Sequence, residues 1–107
     1  FVLCSLYEGL GAVMIEAAMA GLPVLCHPHG GSRYILQDSR WFVDMSESGN
    51  LSRRLIEWRE RPLSTAVVRQ LHDSVHERFN EGRLARDFEE MVQKVFVSSE
   101  LSSRALI

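Results

Sequence analysis

Two carboxylates near the start of the chain are the residues best suited to chemistry. Glu8 lies among glycines, and Glu16 follows after seven intervening residues, in a run that is otherwise apolar from Gly11 to Val24. Burying a carboxylate is costly unless a partner pairs with it or donates hydrogen bonds to it. The vicinal hydroxyls of a ribose supply two such donors, so a nucleotide is one fitting partner for Glu16. The alternative is an ordinary glutamate that reaches solvent or caps a neighbouring loop.

Glu8 leaves similar alternatives open. In the loop before a helix, its carboxylate either accepts hydrogen bonds from sugar hydroxyls, or stabilises positive charge at a reacting centre, or is simply solvated. Between the two glutamates, Gly9 and Gly11 allow an anion to approach the backbone closely. The first N–H groups of a helix beginning there have no partner within the helix, and phosphate is their usual guest. Many strand–glycine–helix turns bind nothing, so this signal is weak alone.

Four histidines are the other candidate ligands. The segment Cys26–His29 reads "CHPH", but its spacing fits no strong zinc pattern and no second ligand cluster follows. We therefore predict no metal site there and leave His27 and His29 as either ligand-loop or packing residues. His72 and His76 lie one turn apart on a polar helix face, which is typical of a solvated surface.

A small α/β architecture is predicted to position these residues. Apolar, non-alternating runs predict strands at residues 1–5, 22–26 and 41–44. Two helices are predicted in the first half of the chain, at residues 12–20 and 32–37, and glycine and proline residues mark where such elements end. Such strands are expected to be buried in a parallel sheet with helices on its faces, and the helix 12–20, apolar almost all round, is expected to be a buried helix. The loops 6–11, 27–31 and 45–50 would then share the carboxyl edge of the sheet, where ligands bind in open α/β folds.

Beyond residue 50 the pattern is helical. Three helices are predicted, ended by Pro62 or begun at the capping residues Ser64 and Asn80. Their apolar positions recur at helical spacing: Leu51, Leu55, Trp58; Val68, Leu71, Val75; and Leu84, Phe88, Met91, Val92, Val95, Phe96. Residues 98–107 show little pattern, and we expect a flexible tail.

Composition bounds the class of protein. The chain has 107 residues, of which 46% are hydrophobic, and a net charge of −2, so we predict a globular fold without a nucleic-acid partner. No apolar stretch is long enough for a transmembrane segment, and no signal-peptide pattern is present. Cys4 and Cys26 are predicted to be buried free thiols in a reducing, cytoplasmic compartment. The opening "FVLCS" reads as the middle of a strand, so we expect a piece of a longer protein.

The order of these motifs resembles a known family. Glu8 and Glu16 at their spacing, then the small-residue helix, then Gly21-Leu22-Pro23-Val24 and a double glycine are similar to the retaining GT-B-fold nucleotide-sugar glycosyltransferases called glycosyltransferases group 1, with their Glu-x7-Glu motif. The resemblance covers residues 1–97 and is specific over residues 1–31. It implies an α/β fold that is half of a Rossmann-like donor-binding domain, with three parallel strands and a helical C-terminal part.

The resemblance also implies roles. Glu16 would bind the ribose of the donor, and Glu8 would contact hydroxyls of the transferred sugar as the catalytic glutamate. Backbone N–H groups of Gly9, Leu10, Gly11 and Ala12 would hold the donor phosphates, with His27, Gly30 and Gly31 in a further donor loop. Such enzymes need no metal. Two departures from the family pattern are Arg33-Tyr34, where it often has Pro and Glu, and the Arg40-Trp41 region, where it has Gly.

The implied activity is transfer of a sugar from a nucleotide-diphosphosugar to an acceptor hydroxyl with retention. The acceptor, a glycan, a lipid or a small molecule, would bind an upstream N-terminal domain, in the cytoplasm or at the inner face of the membrane. Two alternatives remain: a non-catalytic nucleotide-sugar-binding or structural relative, and a GT-B-like sugar-nucleotide epimerase. We expect the isolated chain to be inactive and to expose a sheet edge and apolar helix surface.

Overall fold

The computed structural model describes residues 1–105, with side-chain exposure for residues 1–102. The described chain is mixed α/β and mostly helical. Its elements in order are β1 (Val2–Leu3), α1 (Ala12–Met19), β2 (Leu25–Cys26), α2 (Gly30–Leu36), a short 3₁₀ helix (Ser39–Trp41), α3 (Asn50–Glu60), α4 (Thr65–Phe79) and α5 (Glu81–Ala105). They group into two compact units that divide after His76.

The sheet is smaller than predicted. β1 and β2 pair in parallel, with Val2 opposite Leu25 and Leu3 opposite Cys26. The third predicted strand, 41–44, is wrong: among the described residues it is reduced to a single parallel bridge between Cys26 and Phe42. The cause is local, because the Asp38 carboxylate accepts a hydrogen bond from the Arg40 N–H at 2.8 Å. That cap starts the 3₁₀ turn Ser39–Trp41, which takes Trp41, the first residue of the predicted strand, out of the sheet.

Helix α1 ends as the sequence predicts. Gly21 adopts φ 81°, a left-handed conformation that favours glycine. The Leu22 N–H donates to the Ala17 carbonyl at 3.1 Å, and the Gly21 N–H donates to the Ala18 carbonyl at 3.0 Å. This pair of bonds is the Schellman motif, so the prediction that Gly21 stops the helix is confirmed.

The prediction that α1 is buried all round is wrong. Met14, Ala17 and Ala18 are buried, whereas Val13 and Glu16 on the other side are exposed. Met14, Ala17 and Ala18 lie at helical i, i+3, i+4 spacing, so one face of α1 supplies the core contacts. The predicted burial of the first strand is likewise wrong, since Val2 is 37% exposed. The exposed apolar surface expected of the isolated chain is therefore observed.

The core of the first unit lies around β2. Its buried hydrophobic residues are Met14, Ala17, Ala18, Val24, Leu25, Cys26, Ile35, Leu36, Trp41, Val43, Leu71 and Val75. Trp41 meets Trp58 of α3 edge to face, with ring centroids 6.0 Å apart. Ser64 caps α4 as predicted, because its Oγ accepts from the Val67 N–H at 3.3 Å. The predicted apolar face of α4 is confirmed at Leu71 and Val75.

The second unit contains α5. The Asn80 side chain accepts from the Arg83 N–H at 2.9 Å, which confirms the predicted cap. Every side chain described between residues 81 and 102 is exposed, the apolar stripe included. Residues 98–105 continue α5, where the sequence indicated no regular structure; residues 106–107 lie outside the described residues. The predicted mobility of this tail and the predicted domain extent of 1–97 stay predictions. None of the helices within residues 1–105 has the length and apolarity needed to cross a bilayer.

Candidate functional site

Two loops at the carboxyl edge of the sheet approach each other closely. A Cβ atom placed on Gly31 would lie 2.4 Å from the Gly9 carbonyl oxygen and 2.8 Å from that of Leu10. Real Cβ atoms do not come so close to backbone atoms, so only glycine fits at residue 31. The prediction that loops 6–11 and 27–31 lie at the same edge is therefore confirmed.

The third predicted loop joins the same edge through His27. The Met45 N–H donates to His27 Nδ1 at 3.1 Å, which ties loop 45–50 to loop 27–31. The Asp44 carboxylate lies 3.7 Å from the same nitrogen. Hydrogen bonds from the Ser46 hydroxyl and N–H, with a smaller contribution from the nearby His27 side chain, hold the pKa of Asp44 below its usual range. His27 thus fixes the loop geometry, and its role toward a donor stays a prediction.

The start of α1 presents unpaired N–H groups to this edge. Gly11, with φ 78°, precedes the helix and no side chain caps it within the described residues. Helix N-terminal N–H groups without a side-chain cap carry the positive end of the helix dipole. This geometry suits the anion site predicted at Gly9, Leu10, Gly11 and Ala12.

Glu8 and Glu16 lie on either side of this helix start. Both side chains are exposed, and within residues 1–105 neither carboxylate forms a hydrogen bond or ion pair. The cost of burying Glu16, which motivated its assignment from sequence, does not arise here. Both carboxylates are instead accessible acceptors, which is what hydrogen bonding to sugar hydroxyls requires.

A buried cap at the start of α2 was not predicted. The Ser32 N–H donates to His29 Nδ1 at 3.3 Å, and the His29 N–H donates to Ser32 Oγ at 2.8 Å. This reciprocal pair is a capping box, and it starts α2 at Gly30, two residues before the predicted start at Ser32. The usual sequence signal for such a box is a serine or threonine followed three residues later by glutamate or glutamine, and here histidine and serine occupy the two positions. It is easily missed here because histidine is not a favoured cap residue.

His29 leaves one polar atom unused. The side chain is only 8% exposed, and its Nε2 is buried with no partner among the described residues. The His29 Cε1 atom lies 3.2 Å from the position of the added Gly31 Cβ. The imidazole therefore lies beside the turn formed by Gly9 and Leu10.

The two cysteines differ. Cys26 is buried and Cys4 is exposed, and both are free. The predicted burial is thus right for Cys26 and wrong for Cys4. Burial raises the pKa of the Cys26 thiol to about 11, against a smaller opposing effect of a hydrogen bond with Ser32. Cys26 is therefore an unreactive core thiol.

No metal centre is apparent in the part of the chain that the structure describes. No three His, Cys, Asp or Glu side chains in it come together as ligands. His72 and His76 stack with ring centroids 5.7 Å apart, and His72 Nδ1 lies 2.9 Å from the Asp73 carboxylate. The expectation that the reaction needs no metal stays a prediction.

Comparisons with known proteins agree with the motif order. The sequence model of the family described as "Glycosyl transferases group 1" matches residues 1–74. The Vi polysaccharide biosynthesis protein VipC/TviE of Salmonella typhi is 36% identical over 89 residues, covering 74% of this chain. The chain spans 15% of the length of that relative. No solved structure matches significantly.

Proposed function

Because the chain belongs to the family of glycosyl transferases group 1, we propose that it forms part of the nucleotide-sugar site of a retaining glycosyltransferase. The enzyme would move a sugar from a nucleotide-diphosphosugar to an acceptor hydroxyl. The observation that carries this proposal is the close approach of Gly31 to Gly9 and Leu10. It brings two loops together next to an uncapped helix N-terminus, which Glu8 precedes and Glu16 follows along the chain.

Each part of this edge has a role in the proposed site. The N–H groups at the start of α1 hold the diphosphate, whose negative charge the helix dipole favours. Glu16 accepts from the ribose hydroxyls, and Glu8 accepts from hydroxyls of the transferred sugar. As the glycosidic bond to phosphate breaks, negative charge grows on the leaving diphosphate, and prearranged N–H groups stabilise it. In this proposal no metal is required.

The acceptor is proposed to be a growing polysaccharide. The similarity to a protein named for Vi polysaccharide biosynthesis supports this class of acceptor. Since the chain spans 15% of that relative, we propose that an upstream domain of a longer protein binds the acceptor. In this proposal the reaction takes place in the cytoplasm or at the inner face of the membrane, with a nucleotide sugar as the donor substrate.

The test is Glu16→Ala in the full-length protein that carries this chain. Loss of two hydrogen bonds to a carboxylate should weaken binding of the cognate nucleoside diphosphate roughly 10- to 100-fold. Titration calorimetry with UDP, GDP and ADP measures it, and the melting temperature should not change because Glu16 is exposed and unpaired. Glu60→Ala, at the exposed end of α3, is the matched control and should bind like the parent.

Product analysis distinguishes the proposed glycosyltransferase from an epimerase and from a non-catalytic relative. A labelled nucleotide sugar should yield a labelled glycan in which the anomeric configuration of the donor is kept. Formation of an isomerised nucleotide sugar without transfer would identify an epimerase instead. Tight binding with no turnover would identify a non-catalytic relative, and unchanged affinity in Glu16→Ala would refute the assignment of the ribose site.

A further inference from the structure

The imidazole of His29 carries a hydrogen whose acceptor is absent from the described residues. Nδ1 accepts the Ser32 N–H at 3.3 Å, so its lone pair is occupied and the hydrogen of the neutral ring lies on Nε2. That Nε2 is buried and unpartnered. Buried donors in native proteins nearly always have an acceptor, so an unpaired one indicates a missing partner.

The surroundings of the ring indicate what kind of partner fits. The imidazole lies beside the Gly9–Leu10 turn, whose two carbonyl oxygens face Gly31. These two carbonyl oxygens make the corner beside the ring electronegative, so an anionic oxygen would be repelled. A neutral hydroxyl is the acceptor that fits.

We propose that His29 is a sugar-binding residue, whose Nε2–H donates to a hydroxyl of the transferred sugar. This inference rests on the proposed function, because it places the sugar at the Gly9–Leu10 turn and the diphosphate at the start of α1. His29 therefore has two separate uses. Its Nδ1 holds the start of α2, and its Nε2 recognises the ligand.

Two substitutions separate these uses. Asparagine is a preferred helix cap, so His29→Asn keeps an acceptor for the Ser32 N–H while removing the donor at the far end of the side chain. His29→Gln does the reverse, because its longer side chain places an N–H donor near the position of Nε2 and loses the cap geometry. Both variants are made in the full-length protein and compared with the parent by melting temperature and by calorimetry.

The measurement compares a nucleotide sugar with its parent nucleoside diphosphate. UDP-glucose, UDP-N-acetylglucosamine and GDP-mannose are each paired with UDP or GDP, and the pair that the parent protein binds is carried forward. We expect His29→Asn to bind the nucleotide sugar about two- to tenfold more weakly, the worth of one neutral hydrogen bond. Its affinity for the nucleoside diphosphate and its melting temperature should not change. His29→Gln should melt lower and keep the preference for the nucleotide sugar.

Three results would overturn the inference. Parent-like affinity of His29→Asn for both ligands would mean that Nε2 meets only a buried water. Equal weakening of both ligands would mean that His29 acts through the fold alone. A parent protein that binds no nucleoside diphosphate and no nucleotide sugar would remove the proposed function and this inference with it, whereas the first two results leave the proposed function intact.

Discussion

The two loops that meet at the carboxyl edge are built in opposite ways. In loop 27–31, His29 is buried and bonded reciprocally to Ser32, and His27 accepts from the Met45 N–H. In loop 6–11, residues 6–10 are exposed, and no side chain forms a hydrogen bond among the described residues. Loop 27–31 therefore holds its own conformation, and loop 6–11 is positioned by contact with it.

This difference assigns the two loops different main roles: loop 27–31 stabilises the fold, and loop 6–11 presents side chains to a ligand. The carboxylate of Glu8 belongs to the loop that has few internal bonds, so its position depends on the neighbouring loop. Substitutions that break the contacts of loop 27–31 with Ser32 or with loop 6–11 should accordingly lower the stability of the fold, and substitutions in loop 6–11 should change ligand binding more than stability. The following predictions test that division, beginning with the largest expected effect.

The cysteines that precede the two loops should react at very different rates. Cys4 is exposed, whereas Cys26 is buried and its pKa is raised to about 11. At pH 7.5 almost no Cys26 thiolate is present, because its pKa lies far above that pH. We expect iodoacetamide to modify Cys4 roughly a hundredfold faster or more. Mass spectrometry of tryptic peptides over a time course measures both rates.

Cys4→Ser is the control for this labelling. The native variant should then remain unmodified until it is unfolded in urea. Comparable rates for the two thiols in the native protein would show that β2 is not a protected core strand.

Gly31→Ala should be the most damaging small substitution. Its Cβ would meet the carbonyl oxygens of Gly9 and Leu10 at 2.4 and 2.8 Å, so the two loops must separate. We expect a loss of about 3 kcal/mol in the free energy of unfolding, toward the upper end for overpacking. Urea denaturation measures this loss.

Gly30→Ala is the matched control. Nothing lies within 4 Å of a Cβ at Gly30, and this residue is the first of α2, so stability should be unchanged or up to about 1 kcal/mol higher. Equal stability of the two variants would show that the loops are not in contact in solution.

Ser32→Ala should have an intermediate effect. Ser32 is fully buried, and its Oγ accepts from the His29 N–H at 2.8 Å. Removing the hydroxyl leaves that N–H unsatisfied and should lower the free energy of unfolding by about 1–2 kcal/mol. Thermal and urea denaturation together measure the change.

Two substitutions at exposed positions serve as controls for Ser32→Ala. Ser52→Ala, on the exposed surface of α3, and Tyr7→Ser, at a position 90% exposed in loop 6–11, should each stay within about 0.5 kcal/mol of the parent. A loss at Tyr7 as large as that at Ser32 would contradict the division between a self-supporting loop and a dependent one.

Local sequence signals predicted the local structure well. The helix end at Gly21 and the caps at Ser64 and Asn80 were predictable because each depends on residues within one turn. The shared edge of the two loops followed from the parallel arrangement. The family followed from the order of the motifs, and the comparisons show it.

Features that depend on distant contacts were not predictable. Whether Cys4 and the Glu16 face of α1 are exposed depends on which other parts of the molecule cover them. The apolar sequence around these residues does not carry that information. The third predicted strand begins one residue late because the Asp38 cap holds Trp41 in a 3₁₀ turn, and only Phe42 then bridges to Cys26. The need for glycine at residue 31 arises from carbonyls some twenty residues earlier, and the buried His29 donor is apparent only once its ring is placed.

The contact between Trp41 and Trp58 gives the protein an intrinsic spectroscopic signal. These are the two tryptophans of the chain, and their rings meet edge to face at 6.0 Å. Their near-ultraviolet circular dichroism should therefore disappear when α3 separates from Trp41, even if the helices persist. Neither loop at the carboxyl edge contains a tryptophan, so unfolding of the core can be followed optically without a label in the proposed site.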